Sequence, residues 1–108
     1  MSSTPLILVD HPEGPIVSIR LNRPEVRNAF NDELIRELTE LLKKLERRPE
    51  VRVVGLSGSG DFFSAGADLH WMKSMISAPK KVNEEDARRL AYLLQAMNEF
   101  SKPLIGMV

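Results

Sequence analysis

Residues 6–9 form an unbroken apolar run, LILV, and the turn-rich HPEGP follows it at 11–15. Beyond the turn the pattern changes to strict alternation. Val17, Ile19 and Leu21 fall on one side of an extended chain, and Ile16, Ser18 and Arg20 fall on the other. A period of two over this length describes a strand with one buried face. Two such runs separated by Gly and Pro predict an antiparallel hairpin. A polar loop, NRPEVRNAF, begins at Asn22 and is expected to end at Asn28 or Asn31.

From 32 to 47 the period becomes helical. Leu34, Ile35, Leu38, Leu41, Leu42 and Leu45 are spaced by threes and fours and trace one face. Asn31 is a suitable N-cap. Asp32 and Glu33 suit the positive helix start, Lys43, Lys44, Arg47 and Arg48 suit the end, and Pro49 closes it. The valine-rich 51–56 predicts a strand, with loop at 57–61. A long helix between two strands implies a crossover and parallel pairing. A short helix is expected from Asp68 toward Met75, broken at Ala78-Pro79. A second long helix is expected over 83–100, with Asn83 as cap and Asp86 in a capping-box-like position. Its stripe would be Leu90, Leu93, Leu94, Met97 and Phe100, and Glu84 to Arg89 would form a solvated charge run. The apolar 104–108 predicts a last strand, expected to lack neighbours. No internal repeat or low-complexity segment is present.

At 108 residues the chain has room for one modest domain, and 43% hydrophobic with 28% charged residues is globular composition. Fifteen basic and fifteen acidic side chains cancel, so neither a nucleic-acid surface nor a polybasic membrane patch is expected. The absence of cysteine excludes disulfides, thiolate nucleophiles and cysteine metal sites. Two distant histidines, His11 and His70, with no third clustered ligand give no metal site. The N-terminus has no basic region followed by an apolar run, nor the arginine-rich character of a transit peptide, so a cytoplasmic location is the expectation. The chain stops on the apolar SKPLIGMV, which leads us to expect the first part of something longer.

The stretch FFSAGADLHWM at 62–72 carries the candidate chemistry. Small residues from Ser64 to Ala67, just before an expected helix start, would leave backbone N–H groups uncovered near Gly66 and Ala67. Such groups lack intrahelical partners and face the positive end of the helix dipole. A carbonyl oxygen held there would be polarised, and an enolate or oxyanion formed from it would gain more. An ordinary tight turn, with alanines chosen for packing, accounts for the same pattern. Composition does not separate the two.

LNRPEVRNAFN at 21–31 and GDFFSAGADL at 60–69, in this order and with the expected elements between them, resemble the enoyl-CoA hydratase/isomerase (crotonase) family. The resemblance runs from about residue 6 to residue 108. It implies an α/β fold, the crotonase-like spiral of ββα units, of which residues 1–108 would be the first turns of an incomplete domain. It implies that Ala67 donates one of two oxyanion-hole N–H groups to a thioester carbonyl. Ala65 would meet the adenine of coenzyme A through its backbone, with Gly66 and Asp68 in the same segment. Arg27 to Ala29 would line the coenzyme A entry, with Arg27 on a phosphate; Arg27 is equally read as a solvated loop cation. The partner implied is an acyl-CoA thioester, with no dissociable cofactor because coenzyme A belongs to the substrate. Assembly as trimers or hexamers is implied for the intact protein.

The pattern departs from the family where acid–base chemistry is concerned. The second oxyanion donor and the two glutamates of the hydratases fall beyond the counterpart of 104–108, so this chain alone is expected to be inactive. The alternatives are an isomerase or thioester hydrolase of the same superfamily, or a non-catalytic piece that binds coenzyme A or other subunits. Asp68 is better placed as a helix cap than as a site acid, and His11 and His70 are expected at the surface. Trp71, Met72 and Met75 suit an acyl-chain wall or the core equally. ADLHWMKSM resembles most closely the members that act on methylglutaconyl-CoA and similar branched, carboxylated thioesters.

Overall fold

The structure is a computed structural model of the whole chain, and it describes residues 5–60 and 80–106. Two strands open it, β1 (Ile7–Asp10) and β2 (Ile16–Leu21), paired antiparallel with Ile7 opposite Leu21 and Asp10 opposite Ser18. The predicted hairpin is present. His11, at φ 56, and the Gly14 N–H bonded to the His11 carbonyl make its turn, and His11 is exposed as expected. The helix α1 (Asp32–Glu46) leads to β3 (Val53–Gly58), and α2 (Lys80–Asn98) leads to β4 (Leu104–Gly106).

The sheet order is β1-β2-β3-β4, with β2 parallel to β3 and β3 parallel to β4. Val17, Ile19 and Leu21 of β2 are fully buried and meet the stripe of α1, in which Leu34, Ile35, Leu38, Leu42 and Leu45 are buried. Val54 and Leu56 of β3 complete this core, and α2 packs on α1 and adds Leu93 to it. The cap is as expected, because the Asn31 side-chain oxygen accepts from the Leu34 N–H at 2.9 Å. Thr39, in the middle of the apolar face, is buried at no cost in unmet polarity: its hydroxyl donates to the Ile35 carbonyl at 2.7 Å.

Several expectations need correction. First, β3 lies later than 51–56. The N–H groups of Arg52 and Val53 both donate to the Pro15 carbonyl, which holds 51–52 in the turn. Ser57 and Gly58, read as loop, pair with Arg20 and Leu21 because the ladder to β2 outweighs their weak strand preference. Second, α2 already contains Lys80, so Asn83 lies inside the helix and not at its start. Third, Asp86 is not on a solvated face. It is 8% exposed and accepts from Arg89 at 2.8 Å, while Leu94, assigned to the stripe, is 57% exposed. Fourth, β4 does not lack neighbours, since Leu104 and Gly106 pair with Val54 and Leu56.

One polar clasp joins α1 to the segment that enters β4. The Glu46 carboxylate accepts from the Ser101 hydroxyl at 2.6 Å and from the Ser101 N–H at 3.1 Å. The hydroxyl bond chiefly holds the Glu46 carboxyl below its ordinary 4.5; desolvation opposes it, and the N–H bond and the Lys102 charge add smaller lowering effects. A lowered folded-state value means that this contact stabilises the fold above the ordinary carboxylate range and is lost as pH falls through the lowered value. We therefore expect the melting temperature to exceed that of Glu46→Gln at neutral pH, and the gap to close on acidification below the ordinary 4.5. Parallel melting curves over that range check it.

Candidate functional site

Two loops at the C-terminal ends of β2 and β3 meet. The first leaves β2 as a short 3-10 turn, Pro24–Val26, started by the fixed φ of Pro24. Arg27 and Asn28 follow at φ 55 and 56, the left-handed region that Asn tolerates better than most residues. The turn is closed by the Arg27 N–H on the Pro24 carbonyl and the Asn28 N–H on the Arg23 carbonyl. The Arg23 guanidinium donates to the Ala29 carbonyl and straps the loop across its mouth.

The second loop leaves β3 at Ser59, whose N–H still bonds the Leu21 carbonyl at 2.8 Å. Asn28, fully buried, joins the two. Its side-chain oxygen accepts from the Arg23 N–H, and its side-chain nitrogen donates to the Ser59 carbonyl, both at 2.8 Å. Gly60 follows at φ 81, and a Cβ built on it would stand 3.3 Å from the Pro24 Cβ. Gly60→Ala is thus expected to cost roughly 1–2 kcal/mol through left-handed strain, with some addition from the Pro24 contact. A denaturant titration of the two proteins measures it.

Of the expected site residues, the structure describes Arg27 and Ala29. Arg27 is exposed at the tip of the first loop, and Ala29 is buried at its base with its carbonyl used by Arg23. Ala65, Gly66, Ala67 and Asp68, and with them His70, Trp71, Met72 and Met75, lie outside the described residues. So does the short helix expected from Asp68. Asn28 is the residue whose individual part the sequence reading missed. The signal was available: an asparagine in a tight polar turn carries both a donor and an acceptor and accepts left-handed backbone.

Among the described residues no group of three or more His, Asp and Glu side chains is placed to hold a metal ion. No helix among them is long and apolar enough to cross a membrane.

A parallel β-α-β layer with loops converging where β2 and β3 end defines an α/β protein of the kind that binds ligands beyond the strand ends. The sequence profile of the enoyl-CoA hydratase/isomerase family matches residues 12–108, and the chain belongs to that family. Among its relatives, the mitochondrial Delta(3,5)-Delta(2,4)-dienoyl-CoA isomerase of Mus musculus is 36% identical over 97 residues, 89% of this chain and 29% of the relative. The hydroxycinnamoyl-CoA hydratase-lyase of Pseudomonas fluorescens is 37% identical over 98 residues, 89% of this chain and 36% of the relative. Among solved structures, an enoyl-CoA hydratase from Shewanella pealeana superposes with a TM-score of 0.89 at 31% identity, covering 95% of this chain and 38% of the other. The chain therefore spans about a third of the length of the curated relatives it matches. The fold is crotonase-like and covers the N-terminal part of that architecture.

Proposed function

We propose that the chain supplies the thioester-gripping part of an enoyl-CoA hydratase, which adds water across the double bond of a 2-enoyl-CoA. The reading is supported by the joined loops: GDFFSAGADL begins at Gly60, directly after the Ser59 carbonyl that Asn28 holds. In this reading the Ala67 N–H polarises the thioester carbonyl, Ala65, Gly66 and Asp68 frame the coenzyme A, and Arg27 at the exposed loop tip meets a phosphate. Ala29 forms the floor of the entry loop. Hydration also needs a base for the water and an acid for the α-carbon. We assign neither role within residues 1–108, so the chain by itself is expected to bind thioester without turning it over. Coenzyme A arrives with the substrate, and no separate cofactor is invoked.

The name of the mouse relative favours a second reading, isomerisation of a dienoyl-CoA, which would use the same oxyanion contact and differ in its acid–base groups. The branched, carboxylated acyl group and a trimeric or hexameric intact protein belong to the proposal on the strength of the resemblance. The test is titration of the chain with acetoacetyl-CoA while backbone amide signals are followed. Residues 65–68 are expected to move. Unchanged signals there would remove any thioester site from this chain.

A further inference from the structure

We propose that residues 101–106 form a strap that closes the β3 edge and opens without the core, latched shut by the Glu46–Ser101 clasp. The strap is thinly attached. β4 has three residues, set against β3 from Leu104 opposite Val54 to Gly106 opposite Leu56, and a flanking bond runs from the Val54 N–H to the Pro103 carbonyl at 3.0 Å. Leu104 is only partly buried against the core, Ile105 is 53% exposed, and a Cβ built on Gly106 would meet no atom within 4 Å. Val17, Ile19, Leu21, Leu38 and Val54, by contrast, are fully buried. Segments with few buried apolar contacts open at a lower free energy than the core they rest on.

Glu46 belongs to the firm side. It ends α1, directly after the buried Leu45, so its carboxylate moves with the core. Ser101 belongs to the strap. Its hydroxyl and its N–H both donate to that carboxylate, so the latch fixes main chain as well as side chain, and the accepting charge strengthens both bonds. Ser101 stands just ahead of β4; with it held, only a short stretch must be ordered for β4 to pair, and the closure entropy is small. With it free, β4 must find its edge on a longer tether from the end of α2. An open strap bares the hydrogen-bonding edge of β3, the kind of template on which another strand can pair.

Native-state hydrogen exchange on the full chain, at a series of low urea concentrations, tests the strap; no ligand is involved, so the outcome is independent of the proposed function. In the parent chain the Val54 amide and the β4 amides that bond to β3 are expected to exchange together and faster than those of Ile19 and Leu38. Their urea dependence should be weaker, because little surface is exposed when the strap alone opens. Ser101→Ala removes the hydroxyl donor, and Glu46→Gln removes the accepting charge. Each should speed exchange of the strap amides by about three- to tenfold. Ile19 and Leu38 should speed by the same factor, since global unfolding breaks the clasp too.

Three results would overturn the strap. Strap amides that exchange at the rate of Ile19 and Leu38, with the same urea dependence, would mean that β4 opens only with the whole fold. Strap amides without protection in the parent would mean that nothing holds β4 closed. Strap amides that keep their parent rate in both variants would mean that β4 opens with the clasp still made, and Glu46 and Ser101 would then latch nothing.

Discussion

Truncating Leu38 to alanine is expected to destabilise the chain by about 2–5 kcal/mol, the range for buried leucines that leave a cavity. Leu38 sits mid-helix on α1, fully buried among the inward residues of β2 and β3. The α1 stripe is the surface through which the sheet and α2 share one core, so the neighbours on both sides lose contacts at once. Domains of this size have total stabilities of about 5–15 kcal/mol, so the loss is a large part of the whole. Leu94→Ala on α2 is the control. Leu94 is 57% exposed, and its removal should change stability by no more than about 0.5 kcal/mol. Urea titrations of the two variants decide it; equal losses would mean that α2 does not face α1 as described.

The larger effect on activity is expected at Ala67. Proline there removes the backbone N–H that the proposed oxyanion contact requires. In a protein carrying the complete acid–base set, Ala67→Pro should lower kcat by about 10²–10³, since the lost donor acts on charge that develops in the transition state. KM should change much less, because the ground-state carbonyl gains little from the same bond. Ala67→Ser keeps the N–H and should stay near the parent rate. Steady-state rates with a 2-enoyl-CoA measure all three. A proline variant that retains the parent kcat would place the oxyanion donor elsewhere.

The elements whose local signals agree were legible in the residues alone. In α1 the apolar period, the Asn31 cap, the acidic start and the basic end all mark the same span, and the helix occupies it. The β2 alternation likewise set which of its side chains would be buried, because a period of two on an extended chain leaves no other choice. The resemblance carried by LNRPEVRNAFN and GDFFSAGADL names the family from the residues alone.

Where local signals were weak or balanced, partners across the fold decided. Ser57 and Gly58 favour a turn by themselves, yet the ladder offered by Arg20 and Leu21 draws them into β3. Leu93 and Leu94 are adjacent leucines on one helix, and only the placement of α2 against α1 buries the first and exposes the second. Asp86, one member of a charged run, is buried, and Arg89 donates a hydrogen bond to it from the exposed side. Asn28 and Ser59 are 31 residues apart, and their bond exists because parallel β2 and β3 end side by side. Periodicity and capping act over a few residues and are written in the chain; which distant surfaces meet depends on how the layers stack, and only the tertiary structure supplies that.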